Sequence, residues 1–178
     1  LTSVGSDLSV TENQTIELLV MNSLKSVGGL MDVSSNPSLN SLHMTKLNSV
    51  SGKMTIHSHA LLNDLKLSSL DTVGGDIKMY ENLVLLTLDL ATLTVVLGEI
   101  ELYMNVNLTS VDLANLLSVG GDLYVKNHDS LITVDLSSIT LIKDELWIRK
   151  NASLIEVEIP NLEKVGGDMD IDKNPALL

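Results

Sequence analysis

The sequence predicts an all-β parallel solenoid of eight rungs, with no α-helix. Three observations predict it. The first is a fixed period. The stretch Leu116 to Ser138, LLSVGGDLYVKNHDSLITVDLSS, is one of a series of copies that begin at Leu1, Leu24, Leu47, Leu70, Leu93, Leu116, Ile139 and Leu162, every 23 residues. Seven copies are full, and the eighth runs 17 residues to Leu178. A constant period in this range marks architectures in which each repeat packs only on its neighbours. The second is alternation: apolar residues return to the same columns in every copy, two apart, with polar residues between them. The third is composition. Hydrophobic residues make up 44% of the chain, but there is no Phe, one Trp and three Tyr. The core must therefore be aliphatic, made of side chains that can stack on copies of themselves.

Taken in order within one copy, columns 1 to 4 open with a short strand. Column 4 reads Val4, Val27, Val50, Val73, Val96, Val119, Ile142 and Val165. Columns 5 and 6 are Gly-Gly at Gly28-Gly29, Gly74-Gly75, Gly120-Gly121 and Gly166-Gly167. Such a pair predicts a corner with positive φ where successive rungs come close. Copy seven has Lys143-Asp144 there, and a distorted corner is expected at that rung.

Columns 7 to 11 are the main strand. Column 8 (Leu8, Met31, Met54, Ile77, Ile100, Leu123, Leu146, Met169) and column 10 (Val10, Val33, Ile56, Met79, Leu102, Val125, Ile148, Ile171) point inward. Columns 7, 9 and 11 then point outward. Column 13 is Asn13, Asn36, Asn82, Asn105, Asn151 and Asn174, with His59 and His128 replacing it in two copies. An inward Asn can bond the backbone of the rung beside it, so Asn36, Asn82, Asn105, Asn151 and Asn174 are read as a stacked amide ladder. Columns 16, 19 and 21 are again apolar, which places a third strand near columns 17 to 21. Residues 1–178 form a single domain in this reading. Because the pattern starts in register at Leu1 and stops in mid-repeat at Leu178, with nothing to cap it, the chain reads as part of a longer protein or of an assembly.

The leucine-rich spacing L-x-V-x-x-N, full in Leu146-Trp147-Ile148-Arg149-Lys150-Asn151, is the strand signature of leucine-rich repeats. The wider phrases VGGDLYV, SLITVDLSSI and VGGDMDIDKNPALL resemble the receptor L domain, found in the ectodomains of insulin- and epidermal-growth-factor-type receptors and in secreted or wall-anchored proteins of fungi and protists. The resemblance covers all eight copies. It implies a right-handed parallel β-helix, secretion, and a binding or structural role without catalysis.

The formal net charge of −12 disfavours nucleic-acid backbones and anionic membrane surfaces. No apolar run is long enough to cross a bilayer, and without cysteine the redox compartment cannot be read. No cofactor motif is present. The four histidines, His43, His57, His59 and His128, form no catalytic spacing. The chain is expected not to be an enzyme.

All four aromatics fall in outward columns of four consecutive copies: Tyr80 and Tyr103 in column 11, Tyr124 and Trp147 in column 9. An exposed diagonal stripe is expected. With Glu101 and Arg149 on the same face it makes the candidate patch for a protein or glycan on a cell surface or matrix. The plainer alternative is cross-strand protection of the sheet.

Column 7 stacks Asp7, Asp76, Glu99, Asp122, Glu145 and Asp168. Such like charges require an offset within the Debye length, about 8 Å. Bonds to the preceding Gly-Gly turn, a basic partner and a cation are the candidates. No metal site is assigned, and Asp168, Asp170 and Asp172 come nearest to one for calcium. Column 20 (Asp89, Asp112, Asp135, Glu158) reads as a solvated acidic row on another face. Of three sequons, Asn107 is the expected glycosylation site. Asn13 and Asn151 lie in the ladder column, where a glycan has no room. The rival to recognition is a structural role, end-to-end stacking into an extracellular filament or wall.

Overall fold

The computed structural model describes residues 1–178. It is all-β with no helix, a parallel solenoid of about seven turns. Two faces are continuous sheets of eight strands. The first holds the two-residue strands from Ser3–Val4 to Lys164–Val165. The second holds the longer strands from Leu8–Thr11 to Met169–Asp172. Every pairing is parallel and joins residues 23 apart, as in Ile77 with Ile100, Ile100 with Leu123 and Leu123 with Leu146. Each column of the text is therefore a line in space, with turns about 4.8 Å apart.

The core follows the apolar columns 1, 4, 8, 10, 16, 19 and 21 and forms one aliphatic cluster from Leu8 to Leu154. Leucines at column 16, from Leu39 to Leu154, are sealed from solvent. So are the column 8 and column 10 residues from Met31 to Ile148. At roughly 25 cal/mol per Å² of apolar surface, this burial is the main term that holds the coil closed.

Of the two roles expected of the glycines, close approach is observed and positive φ is not. None has positive φ. Close approach of the neighbouring turn leaves no room for a side chain at particular positions: a Cβ on Gly28 would sit 2.5 Å from the Gly5 carbonyl oxygen, and one on Gly75 2.7 Å from the Lys53 nitrogen. Nor is the corner distorted at copy seven. Lys143 N donates to Val119 O at 3.0 Å, matching Gly120 N to Val96 O at 2.9 Å one copy earlier.

Positive φ falls at column 12, on Glu12, Ser35, Ser58, Glu81, Met104, Asn127, Lys150 and Lys173, with φ between 54° and 61°. This residue resets the alternation. With columns 8 and 10 inward, column 12 would be inward and column 13 outward. The left-handed residue inserts a half-step, so column 12 faces out and column 13 turns in. A left-handed non-glycine costs roughly 1–2 kcal/mol. What offsets it is the ladder it makes possible.

In that ladder Asn105 Nδ2 donates to Met79 O (3.0 Å) and Asn105 Oδ1 accepts from Asn82 N (3.0 Å). The same pair of bonds recurs at Asn36, with Val10 O and Asn13 N, at Asn151, with Val125 O and His128 N, and at Asn174, with Ile148 O and Asn151 N. Asn82 Nδ2 likewise donates to Ile56 O. His59 and His128 are fully buried substitutes. A ring has no amide oxygen, so the accepting arm stops at those two positions, and it is also unfilled at Asn82, whose Oδ1 has no donor.

The third side is not continuous. Leu18–Val20, Ser41–His43 and Asp64–Lys66 make a three-stranded sheet, and Thr87–Asp89 to Glu156–Glu158 a separate four-stranded one. No pairing joins Asp64–Lys66 to Thr87–Asp89. Leu65, at the break, is half-buried, while Leu42 and Leu88 on either side are buried.

Candidate functional site

The second sheet carries the candidate patch, because its outward columns 9 and 11 hold every Tyr and the Trp. Residues in one column of adjacent turns are held at rung spacing, so flat rings must stack. His57 stacks on Tyr80 with centroids 4.3 Å apart and planes 9° apart, and Tyr80 on Tyr103 at 4.5 Å and 9°. Tyr124 and Trp147 form a second stack, at 4.8 Å and 34°. Lys126 joins the two, its Nζ 5.5 Å from the Tyr103 centroid and 5.0 Å from that of Tyr124. The expected exposed diagonal is thus two stacks bridged by a cation. The rings are half-buried rather than exposed, because each covers its neighbour.

Charged side chains fill the rest of the face. Lys78 lies against Glu99 and Glu101, and Glu101 also accepts from Lys126 at 3.0 Å. Arg149 binds Asp172 through Nε (2.5 Å) and a terminal nitrogen (3.0 Å), reaches Asp170 at 3.5 Å, and lies over the Trp147 ring at 5.3 Å. Burial pushes the Glu101 carboxyl up, but bonds from Lys126 and Lys78 outweigh it and hold it below its ordinary value. The bond to Glu99 above all raises Lys78. Burial, reinforced by Tyr80 and Glu101, pushes the Tyr103 phenol up to about 12. Tyr124 is raised further by burial and by its bond to Glu145 Oε2 at 2.8 Å. All three tyrosines of the face stay neutral at physiological pH.

The column 7 carboxylates find backbone partners, but not in the preceding glycine turn. Asp7, Asp76 and Asp122 each accept from the column 7 N–H of the next copy: Leu30 at 2.9 Å, Glu99 at 3.2 Å and Glu145 at 2.8 Å. An Asp side chain spans one turn spacing. Glu99 and Glu145 instead bond Lys78 and Tyr124. Asp168, Asp170 and Asp172 do not converge into a metal-holding group: Asp170 and Asp172 turn toward Arg149. In column 20, Asp89, Asp112 and Asp135 bond the N–H two residues on, at Ala91, Ala114 and Ser137. Glu158 makes no such bond, since residue 160 is proline.

Asn107 is exposed, with Nδ2 donating to Leu83 O at 2.8 Å; Asn151 is fully buried, and Asn13 is exposed in the first copy. Two arrangements escaped the sequence reading. His57 extends the tyrosine stack, and its place in column 11 was the available signal. His43 Nε2 meets Asp64 Oδ2 at 2.6 Å on the third side, where columns 18 and 20 of adjacent turns touch.

Lys126, Asn127, Trp147, Arg149, Lys150 and Lys173 line a cleft of about 250 Å³ at one border of the second sheet. No family model, curated protein or solved structure matches the chain.

Proposed function

We propose that the protein is a non-catalytic recognition module of the L-domain kind, a right-handed solenoid working outside the cell. It meets a protein or glycan through the outward face of the second sheet. The supporting observation is the pair of ring stacks, His57–Tyr80–Tyr103 and Tyr124–Trp147, fastened by Lys126 on one rigid sheet. Rings locked by their neighbours lose little entropy on contact, which is what a contact surface needs. Polar tips and a fixed mosaic of ion pairs would then select the partner. Catalysis finds no support on this face. Ser58 donates to Glu81 Oε2 at 2.8 Å, so its 3.0 Å contact with His57 Nδ1 is one the ring donates. An activated serine needs the opposite direction.

The test is adhesion of the whole chain to immobilised cell-surface glycoproteins and glycans. Tyr103→Ala and Trp147→Ala should each weaken it about tenfold or more, the loss typical of an interface anchor. Binding unchanged in both variants overturns the reading. Growth of filaments by sedimentation, with no adhesion, would replace it with the structural one.

A further inference from the structure

The chain has 11 Lys and Arg against 23 Asp and Glu, so cations are scarce. Four of them, Lys126, Arg149, Lys150 and Lys173, line one cleft of about 250 Å³, and no carboxylate lines it with them. The fold explains the gathering. Lys126 and Arg149 are register partners in column 11. Asn127, Lys150 and Lys173 are the left-handed corner residues of three consecutive copies, at φ 60°, 56° and 56°. The corner that turns the amide ladder inward therefore sends this second column outward.

Carboxylates beside the cleft offset part of the charge. Glu101 takes Lys126 at 3.0 Å, Asp172 and Asp170 take Arg149, and Asp172 Oδ2 lies 3.8 Å from Lys173. Lys150 has no carboxylate within ion-pair distance. One positive charge, with Lys173 only loosely held beside it, is left over in a protein that is negative elsewhere. That matches one oxyanion.

We propose that this cleft binds an acidic saccharide unit, a sugar carrying a carboxylate or a sulfate ester; the inference rests on the recognition reading and names its ligand. Apart from the Asn127 amide oxygen, the lining side chains offer only hydrogen-bond donors. Sugar hydroxyls rotate to accept from such a wall. A peptide would bring backbone N–H groups that need acceptors the cleft does not have. The volume suits one ring of a longer chain, with the ion pairs around Arg149 and Lys126 fixing the donors beforehand.

Trp147 is the one tryptophan, so its fluorescence reports this cleft alone. The whole chain would be titrated at low salt with a tetragalacturonate, a sulfated tetrasaccharide, a neutral tetrasaccharide and a tetraglutamate peptide. A saturable change with either acidic sugar, absent with the neutral one, is expected. Which acidic sugar binds tells carboxylate from sulfate. The pair Lys150→Glu and Lys173→Glu should weaken that binding about tenfold, equivalent to about 1.4 kcal/mol. The charge-matched pair Lys25→Glu and Lys46→Glu, both in the distant second copy, should change it less than about twofold, since charges beyond a Debye length are screened. No response to either acidic sugar, a stronger response to tetraglutamate, or indifference to the Lys150 and Lys173 changes overturns the proposal. If Tyr103→Ala still abolishes adhesion while acidic sugars leave Trp147 silent, this inference fails and the recognition reading stands.

Discussion

The two borders of the main strand follow opposite rules. At its inward corner, column 13 repeats one residue, and Asn after Asn bonds the backbone of the copy before it. On its outward face, columns 9 and 11 keep no common residue, and side chains are matched to particular neighbours. Lys78 meets Glu99 and Glu101, Tyr80 meets Tyr103, and Arg149 meets Asp172. The corner needs sameness, because every turn presents the same unpaired backbone groups. The face is free of that demand, since water can satisfy it. Individuality there is where a specific role can be written.

The comparison is broken most severely from the inside. Asn105→Ala removes the acceptor of Asn82 N, a buried peptide group that is left unpaired, and takes from Met79 O one of its two donors. We expect a loss of about 3 kcal/mol in chemical unfolding, from about 1–3 kcal/mol for the orphaned group and about 1 kcal/mol for the second bond. A cost below that of an ordinary surface substitution would show that the ladder is decoration.

Glycine gives the next largest effect, with its own control. A Cβ on Gly120 would strike the Leu97 carbonyl oxygen, whereas one on Gly5 meets nothing within 4 Å. Gly120→Ala should cost about 2 kcal/mol, in the range of overpacked sites, and Gly5→Ala close to nothing. Equal costs would move the reason for these glycines back to backbone torsion.

Outside, effects shrink. Glu101→Gln leaves Lys78 with Glu99 alone and frees Lys126, all three side chains being less than a third exposed. A loss of about 1 kcal/mol is expected, fading in high salt. Salt-independence would mean that Glu101 acts by packing.

These contrasts also explain what the sequence let one read. The inward columns were legible because a position such as column 16, from Ile16 through Leu39 to Leu177, is apolar in every copy, and register followed from the period. The ladder was legible from Asn105 and its equivalents. The device that turns it inward was not: column 12 holds Glu, Ser, Met, Asn and Lys, and of these only Asn127 is of a type that favours the left-handed region. Yet an inward column 13 after inward columns 8 and 10 already demands a half-step somewhere between. The glycine corner misled for the converse reason, since Gly marks both positive φ and close approach. On the face, the Tyr80–Tyr103 stack was implicit in shared column and adjacent copy. The Lys126 bridge was not, because it depends on side-chain reach across columns. Nothing in Asn63-Asp64-Leu65-Lys66 announced the break in the third side.

The two exceptions in the ladder turn the comparison into a pH experiment. His59 Nδ1 and Nε2 lie 3.2 Å and 3.0 Å from Asn36 O and Val33 O, and His128 Nδ1 lies 3.2 Å from Asn105 O. Burial lowers the pKa of both rings, against the carbonyls that favour the charged form. Their folded pKa therefore lies below the unfolded value of about 6.5. Above that value both states are neutral and the stability is complete. As pH falls through it, the unfolded chain takes up protons first, and stability is lost until the folded pKa is passed. Histidine at these positions should thus behave like asparagine at pH 8 and unlike it at pH 5. The double variant His59→Asn, His128→Asn should unfold at nearly the wild-type denaturant midpoint at pH 8, the smallest effect of the series. Its midpoint should then fall less than the wild type's on acidification. Parallel curves would mean that the rings are already protonated in the fold, His59 held between two backbone carbonyls and His128 against one, and that a charge sits where every other copy keeps an amide.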